Sequence, residues 1–164
     1  MYRRQTGTIA HAVVATLLCT TGLSAQAPAD VCSLATSEEF QRAHGVDPRI
    51  GILPDTPTYT EMSWGPHCDF SQGAIDLFSS SKELDRVLGL VQAPKERAPV
   101  SGLGKHAFFT IVYPGDKYRE RGLLAIDTGS KLIALSMDHD ENEPVAATRP
   151  KLEGLAKLVL PRLK

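Results

Sequence analysis

The spacing of apolar residues predicts two helices, each with one apolar face. Four apolar residues recur at i, i+3, i+4 and i+7 in a segment that begins near Ser80. They are Leu84, Val87, Leu88 and Val91. A second series lies near the C-terminus, behind Pro150, which suits the first turn of a helix, and Pro161 disturbs its end. Its members are Leu152, Leu155, Ala156, Val159 and Leu163.

Helix-capping patterns mark two helix starts. Thr36 followed by Glu39 matches a capping box and predicts a short helix over about residues 37–44, which ends at Gly45 in the left-handed conformation. Ser80 followed by Glu83 forms a second capping box ahead of the first apolar series. The chain is therefore predicted to hold three helices.

The remaining apolar segments predict five strands. Residues 58–70 are rich in aromatic and β-branched side chains, and a turn at Gln72–Gly73 leads into residues 74–78, which predicts a hairpin. Segments 107–113, 122–127 and 132–137 predict a three-stranded meander. The order is helix, two strands, helix, three strands, helix. It indicates an α+β fold in which three helices pack mainly on one face of an antiparallel sheet of about five strands.

Residues 1–27 have the features of a secretory signal peptide. Arg3 and Arg4 form a basic start, residues 11–23 are largely apolar but too short to span a bilayer, and Ala25-Gln26-Ala27 fits the cleavage pattern. We expect one α+β domain over residues 28–164, in the periplasm or secreted. Cys19 is not expected to carry a lipid, because Leu18 stands where a lipidation motif has a small residue, so membrane anchoring is not expected.

Charge narrows the class of partner. Removal of Arg3 and Arg4 with the leader leaves 16 basic and 19 acidic residues, a formal net charge of −3. This balance argues against nucleic acid or an anionic membrane surface as the main partner.

Cys32 and Cys68 are the two cysteines of the mature chain. In an oxidising compartment we expect them to form a disulfide, which the chain-entropy model credits with roughly 3 to 4 kcal/mol. The alternative is a pair of metal ligands. That site would need two more soft ligands, and the sequence has no Cys-x-x-Cys or His-x-x-x-His motif to supply them.

Three short motifs carry a resemblance to a known group of proteins. They are Cys32-Ser-Leu-Ala-Thr36, Ser63-Trp-Gly-Pro-His-Cys-Asp-Phe70 and Val100-Ser-Gly-Leu-Gly104. Together they resemble small bacterial exported and lipoprotein-type domains of unknown function that open with Cys-Ser-Leu-Leu-Thr. The resemblance implies the disulfide and the α+β layout, and it implies no catalytic residues. Ala35 departs from the pattern, which has leucine there.

A polar loop after the last strand is the candidate metal site. Asp138, His139 and Asp140 place two carboxylates around an imidazole, a donor set suited to Ca²⁺ or a transition metal. The alternative is a solvated acidic loop that complements the positive end of the following helix.

Other motifs give less support to catalysis. His67 adjoins Cys68, but neighbours in a strand point to opposite faces, and a disulfide would remove the nucleophile. The Gly102–His106 segment lacks the spacing of a phosphate-binding loop and precedes a strand.

Aromatic and basic residues near the long turn of the second half form the candidate ligand-binding surface. A basic turn could receive an anionic ligand or an acidic partner, although exposed hairpin tips are ordinarily charged. The residues are Tyr113, Lys117, Tyr118, Arg119 and Arg121, together with Trp64. Trp64 could line a pocket mouth or, alternatively, cover the disulfide and the core.

These features favour a non-enzymatic domain that binds an unknown protein or a small molecule in the cell envelope, with no cofactor. The alternative is a small metal-dependent or hydrolytic enzyme that uses Asp138, His139 and Asp140, with His67 or His106. A purely structural role is a third possibility that the sequence does not separate from the first.

Overall fold

The computed structural model describes residues 30–46, 56–91, 96–113, 120–140 and 142–163. The helices are α1 (Ser37–His44), α2 (Ser81–Leu90) and α3 (Thr148–Val159). The strands are β1 (Thr58–Met62), β2 (Gly65–Phe70), β3 (Gly73–Phe78), β4 (Ala98–Pro99), β5 (His106–Val112), β6 (Arg121–Asp127) and β7 (Leu132–Asp138). Short 3₁₀ helices cover Val31–Leu34, Val145–Ala147 and Leu160–Arg162. The predicted signal peptide, with Cys19, lies outside the described residues.

The strands form one antiparallel sheet in the order β1-β2-β3-β7-β6-β5-β4. The predicted α+β class, the β5–β6–β7 meander and the three helices are confirmed. The sheet is larger than predicted, because the segment predicted as one arm, residues 58–70, folds back on itself at Ser63–Trp64 to give β1 and β2. Gly65 makes this turn possible, since its φ of +139° is one that side chains rarely adopt. The two-residue β4 adds the seventh strand.

The start of α1 forms its predicted capping box completely, whereas the start of α2 forms only half of the predicted one. In α1, Thr36 accepts from the Glu39 amide and the Glu39 carboxylate accepts from the Thr36 amide, and Gly45 ends the helix with a φ of +100°. In α2, the Ser80 hydroxyl accepts from the Glu83 amide, whereas the Glu83 carboxylate pairs with Arg86. α3 carries Pro150 in its first turn and passes into a 3₁₀ helix that contains Pro161.

Two of the three helices cover one face of the sheet, and the third covers the other face. On β3, Ile75 and Leu77 belong to the larger apolar cluster, which includes Phe40 of α1 and Leu152 of α3. Phe78 belongs to a second cluster with Leu84 and Leu88 of α2. Because alternate residues of a strand face opposite sides, α1 and α3 lie on one face and α2 lies on the other. We call the second side the α2 face.

A disulfide joins Cys32 and Cys68, as predicted. It connects the first 3₁₀ helix to β2 on the face covered by α1 and α3, where Phe40 and Phe70 stack with ring centroids 4.5 Å apart. Since both sulfur atoms are in the disulfide, the alternative that these cysteines are metal ligands is wrong. None of the helices in the described part of the chain is long and apolar enough to cross a membrane.

Candidate functional site

A cleft of about 370 Å³ opens on the α2 face, at the end of the sheet where β3 leads into α2. We call it the α2 cleft. The strand register places four of its residues in one row: Phe78 lies opposite Leu132, Leu132 opposite Asp127, and Asp127 opposite His106. Residues paired across antiparallel strands project to the same face, so the whole row faces the first turns of α2. The helix forms the opposite wall.

The floor of the cleft is apolar. Its side chains come from α2 and from four strands, and they belong to or pack against the apolar cluster of the α2 face. They are Phe78, Leu84, Phe108, Ala125 and Leu132. Ala125 pairs with Phe108 on one side and with Ala134 on the other. The short side chains of Ala125 and Ala134 leave space that bulkier residues would fill. An apolar group of a ligand could therefore be buried here.

An ion pair stands at the rim of the α2 cleft. Arg97, in the segment before β4, donates to Asp85 of α2 at 2.6 Å. The guanidinium also lies over the Phe108 ring, 4.8 Å from its centroid. The Arg97 side chain is 42% exposed and that of Asp85 is 56% exposed. An ion pair this exposed contributes at most about 1 kcal/mol, so a ligand can displace it at small cost.

The turn between β6 and β7 forms the rest of the rim. Asp127 accepts from the Gly129 amide at 2.7 Å, and the Thr128 hydroxyl accepts from the Lys131 amide at 3.0 Å. These bonds fix the turn that presents Asp127, Ser130 and Lys131 to the cleft. Across from it, Ser79, Ser80 and Ser81 line the start of α2. The rim therefore carries carboxylates, cations and hydroxyl groups within one opening.

His67 lies on the same face of the sheet, between two carboxylates. Its Nδ1 is 2.7 Å from Asp76 and its Nε2 is 2.9 Å from Asp69. Trp64 donates to the same Asp76 oxygen at 3.0 Å. The hydrogen bond with Asp76, opposed in part by burial, raises the pKa of His67 from 6.5 to about 9. The imidazole is thus a cation at neutral pH, held by both neighbours, and not a free general base.

The adjacent residues His67 and Cys68 do not form a catalytic pair, as expected from the sequence. Cys68 is fully buried and disulfide-bonded on the face covered by α1 and α3, whereas His67 contacts Asp76 on the α2 face. Thiol-based nucleophilic catalysis therefore has no nucleophile at this position.

The predicted ligand-binding residues lie at two ends of the sheet. Trp64 is half-buried, stacks on Phe78 with ring centroids 6.5 Å apart, and packs against the apolar cluster of the α2 face. The expectation that it covers the disulfide is wrong, because the disulfide belongs to the other face. Arg121 and Tyr113 lie at the far end of the sheet, near the start of β6 and the end of β5.

At that far end the described residues are already paired. Arg121 forms an ion pair with Asp138 at 2.5 Å, and the negative charge of Glu120 raises the pKa of the exposed Tyr113. The other members of the predicted surface, Lys117, Tyr118 and Arg119, lie outside the described residues.

The candidate metal residues turn to different partners. Asp138 pairs with Arg121, the His139 ring donates to the Glu120 carbonyl at 3.0 Å, and Asp140 accepts from the Asn142 amide at 2.9 Å. That backbone hydrogen bond lowers the pKa of Asp140. Among the residues that the structure describes, no group of three or more potential metal-ligating side chains comes together.

Sequence reasoning missed the α2 cleft. Ser80 was recognised only as a helix cap, and His106 as the end of a segment without phosphate-loop spacing and as an accessory histidine of the enzymatic alternative. Asp85 and Arg97 carry no local signal, since their pairing depends on how the segment before β4 crosses α2. The run of three serines at residues 79–81 was the one visible signal of a polar wall next to an apolar strand.

Comparison with known proteins assigns no relative. No protein-family model, no curated protein and no solved structure matches this chain.

Proposed function

We propose that this chain is an exported domain of the cell envelope, periplasmic or secreted, that binds a ligand without chemically changing it. The observation that carries the proposal is the α2 cleft, a concave site in which charged and hydroxyl side chains surround an apolar floor. Binding sites of small molecules are concave and combine apolar surface with polar groups that orient the ligand, and the α2 cleft has a larger share of polar residues than most such sites.

Two further features support export. The first 27 residues have the pattern of a cleaved leader. The Cys32–Cys68 disulfide is the kind of bond that persists in oxidising compartments such as the periplasm.

The chemistry of the side chains supports binding over catalysis. His67 is engaged by two carboxylates, Cys68 is oxidised, and Asp138 is neutralised by Arg121. The alternative, a small metal-dependent or hydrolytic enzyme that uses Asp138, His139 and Asp140, requires these groups to converge, and each has its own partner.

The test is to purify the mature protein from the periplasm and measure its mass under native and denaturing conditions. We expect a chain that begins at Pro28, a mass 2 Da below that of the reduced chain, and a co-purified small molecule. The ligand should be lost from Ser130→Trp, which fills the cleft from its exposed turn, and kept by Ser101→Trp, an exposed serine that does not line it. A bound molecule whose mass changes during incubation with the protein would contradict binding without turnover.

A further inference from the structure

The ion pair at the rim of the α2 cleft constrains the charge of a ligand. Asp85 and Arg97 both line the cleft, and each is the other's charged partner at 2.6 Å. A ligand that enters between the start of α2 and the sheet meets this pair beside the apolar floor. A ligand that separates the pair removes one favourable contact from each side chain, and a ligand with charges of both signs replaces both contacts.

Resting on the binding function proposed above, we propose that the α2 cleft takes a small zwitterion with an apolar side group, such as a free aromatic amino acid or a dipeptide. The ammonium group of such a ligand would pair with Asp85 and its carboxylate with Arg97. Each side chain then exchanges one partner of opposite charge for another. A ligand with a single charge would replace one of the two contacts and leave the other side chain to water, which makes it the weaker ligand.

The wall formed by the turn between β6 and β7 also carries residues of both charges. Asp127 and Lys131, at the ends of one tight turn that lines the cleft, add one acidic and one basic residue to this wall. Both walls are therefore close to neutral, and neither presents the excess of one sign that selects a purely anionic or purely cationic ligand.

The floor selects the apolar side group. Phe78, Phe108 and Leu132 present aromatic and aliphatic surface, and Arg97 already uses the Phe108 ring as a stacking surface. The volume of about 370 Å³ lies at the small end of the range of ligand sites, roughly 300 to 1,000 Å³. It suits a molecule of one or two amino-acid residues and not a long peptide.

The decisive experiment uses four probes that share one phenyl group and differ in charge. They are L-phenylalanine as the zwitterion, 3-phenylpropionate as the anion, 2-phenylethylammonium as the cation and N-acetyl-L-phenylalaninamide as the neutral analogue. Isothermal titration calorimetry gives the affinities, and amide chemical shifts of the mature, oxidised protein locate the site. We expect L-phenylalanine to bind at least about tenfold more tightly than each analogue, with shifts at His106, Phe108 and Leu132.

Matched variants test the two charged partners separately. Asp85→Asn should weaken L-phenylalanine binding about tenfold without weakening 3-phenylpropionate binding, because only the zwitterion brings an ammonium group. Arg97→Gln should weaken both of these probes and spare 2-phenylethylammonium. The control is Glu153→Gln, which removes the acid of an ion pair on α3, across the sheet, and should change no affinity.

The outcomes separate this inference from the proposed function. If an analogue binds as tightly as L-phenylalanine, or if its shifts lie away from the α2 cleft, the zwitterion assignment is overturned. If all four probes fail at millimolar concentration while a co-purified ligand is still lost from Ser130→Trp, the ligand class is wrong and the binding function stands. If neither probes nor a co-purified ligand bind, both proposals fail.

Discussion

Arg162 donates from both terminal nitrogens to the two carboxylate oxygens of Glu39, at 2.7 and 2.6 Å, across 123 positions of the chain. The same guanidinium donates to the Leu34 carbonyl at 3.1 Å. The C-terminal 3₁₀ helix is thus fixed to α1 and to the 3₁₀ helix that precedes it. The hydrogen bond from Arg162 is the main reason why the pKa of Glu39 falls from 4.5 to about 2.

Removing this charge pair should destabilise the fold at neutral pH. Glu39→Gln keeps a side chain that can complete the capping box of α1 but loses the charge that Arg162 grips. We expect a loss of about 1 to 2 kcal/mol in the free energy of unfolding. An ion pair with two hydrogen bonds stabilises more than an ordinary surface pair, and the partial exposure of Arg162 limits the gain. Urea unfolding at pH 7 measures it.

Glu38→Gln is the matched control, since Glu38 occupies the preceding position of α1 and pairs with Arg42 while both side chains are more than half exposed. It should cost no more than about 0.5 kcal/mol. The pKa of Glu39 is lower in the folded than in the unfolded protein, so its contribution is complete above 4.5 and is lost as the pH falls towards 2. Equal losses for both variants, or a Glu39→Gln deficit that persists unchanged at low pH, would argue against the pairing.

His67 should make the free energy of unfolding fall at alkaline pH. Its pKa is higher in the folded protein, about 9, than the 6.5 of the unfolded chain. The stabilisation is therefore complete below pH 6.5 and is lost as the pH rises through 9, by about 2 to 3 kcal/mol. Urea midpoints at pH 6 and pH 9.5 give the difference, and emission of Trp64, which donates to Asp76, provides a local signal.

Two substitutions assign that alkaline loss. Asp76→Asn removes the main cause of the shift and should abolish most of the difference between the two pH values. Asp69→Asn removes the more exposed partner, whose side chain is 56% exposed, and should have the smaller effect. If Asp76→Asn retains the wild-type pH dependence, another group is responsible.

The disulfide should stabilise the first half of the fold substantially. Replacing both Cys32 and Cys68 by serine should lower the free energy of unfolding by roughly 3 to 4 kcal/mol, as the chain-entropy model gives for a loop of this length. The measurement is urea unfolding of the wild type, oxidised and reduced, beside the double variant. The reduced wild type and the double variant should agree, whereas a fully stable double variant would contradict a structural role.

Two glycines should respond to alanine in opposite directions. A Cβ at Gly122 would clash with the hydroxyl of Thr148, which is buried and donates to the Val145 carbonyl at 2.7 Å, so Gly122→Ala should cost about 1 to 3 kcal/mol. Gly154 lies in α3 with nothing within 4 Å of a Cβ, so Gly154→Ala should stabilise by about 0.5 to 1 kcal/mol. Thermal unfolding of the two variants measures both signs, and a neutral Gly122→Ala would show that α3 can shift away from β6.

Local signals predicted the helices well and the sheet less well. Helix ends depend on signals that act within a few residues, so they can be inferred from sequence. The examples are the capping box of Thr36 and Glu39, Gly45 and Pro150. The turn at Ser63–Trp64 could not be inferred, because strand-forming residues lie on both sides of it and the segment resembles one continuous strand. The sequence also could not predict on which face of the sheet α2 lies, because the apolar face of a helix can pack on either one.

The functional residues show the same limit more strongly. The row formed by Leu132, Asp127 and His106 exists only once β5, β6 and β7 are in register. Trp64 and Arg121 were predicted to share a surface because both have recognition chemistry. The sequence does not show how far apart they lie, and the strand pairing places them at opposite ends of the sheet.

The two halves of the sheet meet at one strand pair, β3 with β7, and this has a consequence for the timing of folding. β1, β2 and β3 pair with their sequence neighbours, and both disulfide cysteines precede β3, so this part can form early. The joining strand β7 and the covering helix α3 come last in the chain, and such distant pairings are slow to close. The core is therefore completed only when the C-terminal segment is in place, so the complete domain should fold more slowly than its first half.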